Sequence, residues 1–338
     1  MITFMKKNLR YILAILCFAG MWISCSDDGG NDGEEPLTAP EVSVQNLSLK
    51  DAILPGRTVR LRANIINTTE AGLQWFVDGK EVSTDTIFEF SSVKEGAFRI
   101  KVTAFNRLGT ASDSLDIQVM DGFKISDITN WTGSGENQSM LAIQWITGEV
   151  ENWSNPEDRD VFFRAWGYRW EKANPPTGHD MIVDIAKKDP RLFIIVASDG
   201  NLGMTIRGFG YDIDGDGIEI QSEDLEYGDR TLKGIHLTEA DFKDGIYEQK
   251  EADVNMDGFN VISGGDYWIG GWYVVYPSYW LGSGEAVLES KEYEYSGLYA
   301  GNRLLENEEW HTWTFSPINN AEKNILPIPR LLKAAPNN

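Results

Sequence analysis

The chain has 338 residues, with 52 Asp plus Glu against 30 Lys plus Arg, 3 His, 2 Cys and 12 Trp. A formal charge of −22 disfavours nucleic acid and anionic membrane surfaces, which are bound through Lys and Arg, so no nucleic-acid partner is expected. Two cysteines and three scattered histidines exclude a disulfide framework and a four-cysteine zinc site, while the length leaves room for two domains with real cores.

Residues 1–24 carry Lys6, Lys7 and Arg10 and then an apolar run from Tyr11 to Ile23, too short for an ordinary membrane span, which reads as an export signal. The run closes on Ile23-Ser24-Cys25, which resembles a lipobox, with Trp22 departing from the usual leucine. That resemblance makes Cys25 the lipidated mature N-terminus. Cleavage would remove Cys17 and three cations, taking the charge from −22 to −25 and leaving no free thiol for catalysis. Residues 25–38 are a flexible acidic tether with too little apolar surface to fold. Its acidic start is similar to the signal that sends Bacteroidetes lipoproteins to the outer face of the outer membrane. The resemblance implies a lipid-anchored protein facing the cell exterior.

From residue 39 to 120, short alternating apolar runs recur between turn residues, which predicts an antiparallel sandwich. Strands are expected at 59–65, 73–77, 87–90, 96–104 and 114–119, with turns at Asp78-Gly79 and Asn106–Gly109 and a buried Trp75. The stretches LQWFVDGKEV and EGAFRIKVTAFNRLGTASDSLDIQV resemble an immunoglobulin-like or polycystic-kidney-disease-type repeat. The resemblance implies a fold and little chemistry, and the module reads as a spacer.

Residues 121–318 hold ten of the tryptophans and form the expected β-rich ligand-binding domain. Strands are expected at Ser139–Trp145 and Phe162–Trp170. Thr177 with Asp180 caps a helix whose apolar stripe is Met181, Ile182, Ile185 and Ala186, ending by Asp189-Pro190. His179, in its first turn, is expected to be solvated. Thr238 with Asp241 starts a second short helical turn, and residues 319–338 read as a poorly ordered C-terminal tail. The chain is thus predicted to be mainly β, an immunoglobulin-like β-sandwich followed by a larger β-rich (α+β) domain with one or two short helices. The stretches GSGENQSMLAIQW, AWGYRW, TGHDMIVDIAKKDPRLF, RGFGYDIDGDG, GGWYVVYPSYW and EEWHTWTFSP resemble, in order, a family of exported bacterial surface proteins. Some of these are similar to components of outer-membrane nutrient uptake, including cobalamin uptake.

Asp212, Asp214, Asp216 and Glu223 stand at positions 1, 3, 5 and 12 of a loop with Gly217 at 6, the oxygen spacing of a calcium site. Glu219 at position 8 replaces the usual aliphatic residue, which argues for an isolated loop between strands. Asp253, Asn255 and Asp257 repeat the spacing, with Gly264 at position 12 and Asp266 as the nearest substitute. Calcium bound here would be structural, since no base or nucleophile adjoins either loop.

The second loop leads into the aromatic run 267–280. Alternation puts Trp268, Trp272 and Tyr276 on one face and Tyr267, Tyr273 and Tyr279 on the other, more than one buried face requires. Trp268, Trp272, Tyr273, Tyr276, Tyr279 and Trp280 are therefore the candidate ligand-binding residues; the alternative is that any one of them is core. No stretch sets an acid in a recognisable catalytic context, and no catalytic residue is assigned. The anchor, the spacer and the aromatic run fit a non-enzymatic surface lipoprotein. It would capture a small-molecule or glycan ligand for a TonB-dependent transporter, with cobalamin or another corrinoid implied by the family resemblance alone. A glycan-binding lipoprotein, a calcium-stabilised adhesion or structural protein, and a hydrolase built on two carboxylates are the alternatives.

Overall fold

The structure, a computed structural model, describes residues 37–68, 70–147, 156–198, 203–227, 229–249, 258–270, 275–317 and 325–337. Cys25 lies outside the described residues, as do Asp253, Asn255 and Asp257 of the second acidic loop and Trp272 and Tyr273 of the aromatic run. No helix among the described residues is long and apolar enough to cross a membrane.

Period-two alternation builds the first domain from β1 (Glu41–Asn46), β2 (Ala52–Ile53), β3 (Thr58–Ile66), β4 (Gly72–Val77), β5 (Lys80–Ser83), β6 (Ile87–Ser91), β7 (Gly96–Asn106) and β8 (Gly109–Val119). In β3, Val59, Leu61 and Ala63 are buried while Thr58, Arg60 and Arg62 stay in water. One sheet has the order β1-β3-β6 and the other β2-β8-β7-β4-β5, and residues of both form a shared core around Val59, Leu61, Trp75, Ile100, Val102 and Ile117. The Trp75 indole N–H donates to the Asp85 carbonyl at 2.8 Å, so the buried ring leaves no polar atom orphaned. The β4–β5 hairpin turns through Asp78 (φ 48°) and Gly79 (φ 81°), the left-handed pair that a two-residue hairpin loop needs. This is the expected immunoglobulin-like sandwich, with β1, β2 and β5 as strands that the periodicity did not indicate.

The second domain comprises β9 (Trp131–Gly133), β10 (Asn137–Ile146), β11 (Val161–Trp170), α1 (Gly178–Lys188), β12 (Leu192–Ser198), β13 (Met204–Tyr211), β14 (Glu219–Ser222), β15 (Leu225–Tyr227), β16 (Arg230–Leu232), β17 (His236–Thr238), β18 (Ile246–Glu248), β19 (Phe259–Val261), β20 (Tyr267–Gly270), β21 (Val275–Ser283), β22 (Glu294–Tyr295), β23 (Glu309–Pro317) and β24 (Lys333–Ala334). A first sheet runs β22-β21-β23-β10-β11-β24, with β9 also on β11; a second runs β18-β12-β13-β20; β14 pairs with β17 and β19 in a third. Leu141, Ile143, Trp145 and Trp166 of the first sheet share a core with Ile194, Phe209 and Ile269 of the second and with Met181, Ile182 and Ile185 of α1. The alternate residues are buried as well. Met140, Ala142, Phe163 and Trp280 pack with Ile128 and Leu332, and Phe193 and Ile195 pack with Ile220, Leu237 and Phe259 of the third sheet and its surroundings. Both large sheets are therefore covered on both faces, which explains their near-continuous apolar strands.

Helix α1 starts as its sequence predicts. Thr177 Oγ1 accepts from Asp180 N at 3.2 Å and Asp180 Oδ2 accepts from Thr177 N at 2.9 Å, a reciprocal capping box. Two expectations need correction. His179 is not solvated: it is half-buried, its Nε2 is buried without a hydrogen-bond partner, and burial lowers its pKa. The chain from Ile325 to Asn337 is not a loose tail. Strand β24 pairs in parallel with Arg164 and Ala165, Ile325, Leu332 and Ala335 are buried, and the Pro336 carbonyl accepts from Asn130 Nδ2 at 2.9 Å. Ile325, Pro327, Pro329, Leu332 and Ala335 of this mostly apolar, proline-rich segment are all buried, which seats it against the domain.

Candidate functional site

The six aromatic candidates divide four ways. Tyr279 and Trp280 are 5% and 6% exposed, so neither presents a face to an external ligand, which corrects their assignment. They occupy opposite faces of β21, and both faces of that sheet are covered. Tyr279 stacks on Trp313 with ring centres 4.6 Å apart, and the Trp280 indole N–H donates to Thr314 Oγ1 at 2.9 Å. Trp268 is half-buried, packed edge-on to Phe259 and over Gly208 and Gly210, where a Cβ would come within 2.5 Å and 2.9 Å of the ring. Tyr276 is exposed. Trp272 and Tyr273 lie outside the described residues.

Other tryptophans follow the same rule as Trp280, each burying its ring and placing its N–H on a named acceptor. Trp145 donates to the Phe209 carbonyl at 3.1 Å, Trp170 to Ser139 Oγ at 2.9 Å, and Trp166 to Asp189 Oδ2 at 2.8 Å. Asp189, with no exposure, also takes Asn130 Nδ2 at 3.0 Å and Arg191 Nε at 3.2 Å. The most distinctive motifs of this domain, AWGYRW and DPRLF, thus meet at one buried carboxylate and serve the fold.

The exposed aromatics are tyrosines at the sheet edge. Tyr276 on β21, Tyr295 on the edge strand β22 and Tyr299 are 39%, 48% and 40% exposed. The Tyr276 and Tyr295 hydroxyls are 2.7 Å apart, and Tyr295 stands edge-on against Trp280 at 5.6 Å. Burial and then the bond to Tyr276 push the Tyr295 phenol upward, so it stays neutral at physiological pH. The backbone holds this cluster. Ser296 N donates to the Tyr279 carbonyl at 2.9 Å, Gly297 turns the chain at φ 64°, and the Tyr299 carbonyl accepts from Asn302 N at 2.9 Å. Tyr295 and Tyr299 fall outside the 267–280 run, and alternation along one strand could not indicate them; the pairing of β22 with β21 brings Tyr295 in, and Tyr299 follows it in the turn beyond β22.

The first acidic loop joins β13 to β14. Carboxylate oxygens of Asp212, Asp214 and Asp216 lie within 4.8 Å of one another, Asp212 buried and the other two exposed. Asp212 accepts from Gly215 N at 2.6 Å and Gly217 N at 3.0 Å. Gly217 has φ 99°, a left-handed conformation that favours glycine. The hydrogen bond and charge of Asp214, then Asp266 and Asp212, hold Asp216 above the usual carboxylate range. Glu223 does not join them. Strand β14 is extended where a helical hand would turn, which carries Glu223 about 13 Å along the chain from Glu219.

A buried polar chain lies under α1. The Tyr279 hydroxyl contacts His311 Nδ1, His311 Nε2 is 3.0 Å from Glu309 Oε2 but poorly aligned for a straight bond, and Glu309 pairs with Arg303. Burial lowers the His311 pKa against the pull of Glu309. Burial works to raise Glu309, but His311 and then Arg303 outweigh it and hold the carboxyl low. His311 has no exposure, so this chain reads as internal packing. A shallow cleft of about 520 Å³ where the two domains meet touches neither the tyrosines nor the acidic loop. Its Arg57 pairs with Glu285, and its Arg169 lies 4.5 Å over the Trp131 ring.

No family model matches the chain, and no curated protein matches it. Among solved structures, the PKD domain of the human receptor SorCS2 is 22% identical, covering 30% of this chain and 96% of that one at a TM-score of 0.23. The PKD domain of an M14-like peptidase from a Thermoplasmatales archaeon is 13% identical over 25% of this chain and 98% of that one, at a TM-score of 0.21. The I67–I69 fragment of titin is 11% identical over 63% of this chain and 66% of that one, at a TM-score of 0.22. Scores this low transfer nothing from those proteins.

Proposed function

We propose that this chain is a non-enzymatic cell-surface lipoprotein, anchored through Cys25 to the outer membrane, that captures a nutrient ligand for a TonB-dependent transporter. The observation that carries the reading is the tyrosine cluster. In a domain whose other large rings of described burial are buried or, like Trp131, Phe162, Tyr267 and Trp268, half-buried, Tyr276, Tyr295 and Tyr299 are the exposed ones. Rigid tyrosines bind ringed ligands at little entropic cost, offering an apolar face and a polar tip together. The run that supplies Tyr276 also contains Trp272 and Tyr273 in sequence. The immunoglobulin-like domain and acidic tether would hold it clear of the membrane. The ligand implied by the resemblance of the second domain is a corrinoid such as cobalamin, with a glycan as the alternative.

Calorimetry of the full chain in detergent against cyanocobalamin and a panel of soluble glycans tests this. Micromolar or tighter binding to either, lost in Tyr276→Ala/Tyr295→Ala, supports capture at this edge and names the ligand class. No binding to any of them, or binding indifferent to both substitutions, refutes it.

A further inference from the structure

The carboxylate that closes the first acidic loop comes from another strand. Strand β19 returns antiparallel to β14, so that Ile262 N donates to the Glu219 carbonyl at 2.8 Å and Ser263 Oγ accepts from Glu219 N at 3.1 Å. Three residues later the chain reaches the loop, where Asp266 Oδ1 accepts from Ile213 N at 2.9 Å, between Asp212 and Asp214. Asp266 is only 5% exposed, and its second oxygen, Oδ2, is buried with no hydrogen-bond partner. A carboxylate oxygen buried without a partner beside three other acids is costly, and buried polar groups are almost always satisfied. A cation at the loop relieves both the orphaned oxygen and the repulsion.

The geometry points to a hard divalent cation, calcium, at the cluster of Asp212, Asp214 and Asp216; Asp266, bonded to the same loop but outside the set of three whose oxygens lie within 4.8 Å of one another, would complete the shell through its unpartnered Oδ2, in the closing role that the spacing alone gives to Glu223. The donors are all oxygen, which excludes soft and thiolate-seeking metals. The loop turns through Gly215 (φ 82°) and Gly217 (φ 99°), and the shell mixes exposed with buried carboxylates. Such a shell suits the adaptable six-to-eight-fold coordination of calcium better than the rigid octahedron of magnesium. Asp266 is bonded to the first loop, so it is not free to serve the Asp253 loop, for which it is the nearest acid in sequence.

The full chain carrying Asp253→Asn and Asp257→Asn, so that the second loop contributes nothing, is stripped with chelator and titrated with calcium chloride alone by calorimetry. Saturable one-site binding tighter than about 1 mM is expected. Asp266→Asn and Asp214→Asn should each weaken it about tenfold or more, whereas Glu223→Gln should change it less than about twofold. Asp214 is exposed, so its variant reads ligation even if Asp266→Asn does not fold, which circular dichroism in chelator shows. Absence of saturable binding in the parent overturns the site. Glu223→Gln weakening binding as much as Asp266→Asn, or a folded Asp266→Asn binding like the parent, overturns the role of Asp266. No organic ligand is present, so the result is independent of nutrient capture.

Discussion

Replacing Asp189 by alanine should cost about 3–5 kcal/mol of folding stability. Its side chain has no exposure and accepts four hydrogen bonds: from Trp166 Nε1 at 2.8 Å, Asn130 Nδ2 at 3.0 Å, and Arg191 N and Nε at 3.1 and 3.2 Å. Two of the three donor residues keep a partner after truncation, because Asn130 Nδ2 and Arg191 Nη2 also reach the Pro336 carbonyl at 2.9 and 2.7 Å. The Trp166 indole N–H does not. An orphaned buried donor costs about 1–3 kcal/mol and each lost bond to a charged acceptor about 1.5–3, with strong non-additivity, which bounds the total. Asp189→Asn keeps the volume and one carbonyl acceptor but turns an NH2 toward either the Trp166 and Asn130 donors or Arg191, so about half that loss is expected. Urea unfolding followed by tryptophan fluorescence reads this domain, which holds ten of the twelve tryptophans; the midpoint should fall at constant m-value. A loss below about 1 kcal/mol for Asp189→Ala, or a larger loss for Asp189→Asn than for Asp189→Ala, would refute the view that this carboxylate ties the motifs together.

Trp280→Ala should destabilise by about 3–5 kcal/mol in the same assay, because it opens a cavity under β21 and removes one hydrogen bond to Thr314, which keeps its bond to the Ile325 carbonyl; a stable variant that loses ligand would return Trp280 to the binding surface. Tyr276→Ala and Tyr295→Ala, being exposed, should each shift stability by less than about 1 kcal/mol, and a larger loss would make them structural. Thr177→Ala removes one half of the α1 capping box and should cost about 0.5–2 kcal/mol. Burial depresses the folded-state pKa of His311 below 6.5. Above that pH both states are neutral, while below it only the unfolded state takes up the proton, so stability should fall as pH drops from 6.5 toward the folded value. His179 acts in the same direction, so His311→Asn should flatten, without abolishing, the slope of melting temperature against pH; an unchanged slope would mean that folding does not shift the His311 pKa, and a steeper one that folding raises it.

What was legible depended on how many faces each element buries. Strand β3 has one core face, and its alternation reads directly as Val59, Leu61 and Ala63 inside; helix α1 has one apolar stripe and a capping box, and both are where the pattern puts them. Strand β21 is buried on both faces, so alternation carries no information about exposure, and Tyr279 and Trp280 look like their exposed neighbour Tyr276 until sheet order is known. The acidic loop was legible in Asp212, Asp214 and Asp216, whose spacing is local. The residue proposed to close it was not, because the position-12 rule assumes a helix after the loop, whereas β14 is extended and β19 brings Asp266 back to the loop. The β24 segment shows the same limit, since nothing local marks Lys333 and Ala334 as partners of β11.

Covering both faces of both large sheets leaves few places for a ligand. Strand faces are spent on packing, so recognition has to use sheet edges and the loops at strand ends, where main chain and side chains still meet water. Both unassigned features lie there. Tyr276 and Tyr295 sit at the β22 edge of the first sheet, and the acidic loop joins β13 at the end of the second sheet to β14 of the third. Their connection is short: Asp266, set against the loop, directly precedes β20, and only residues 271–274 separate β20 from Val275 and Tyr276. A cation that fixes Asp266 therefore fixes one end of the segment whose other end carries Tyr276. Nutrient affinity measured in chelator and again in calcium should differ if that segment is part of the platform, by the same factor in Asp266→Asn as in chelator-treated parent chain. Equal affinity in both conditions would separate the cation from recognition and confine it to stability.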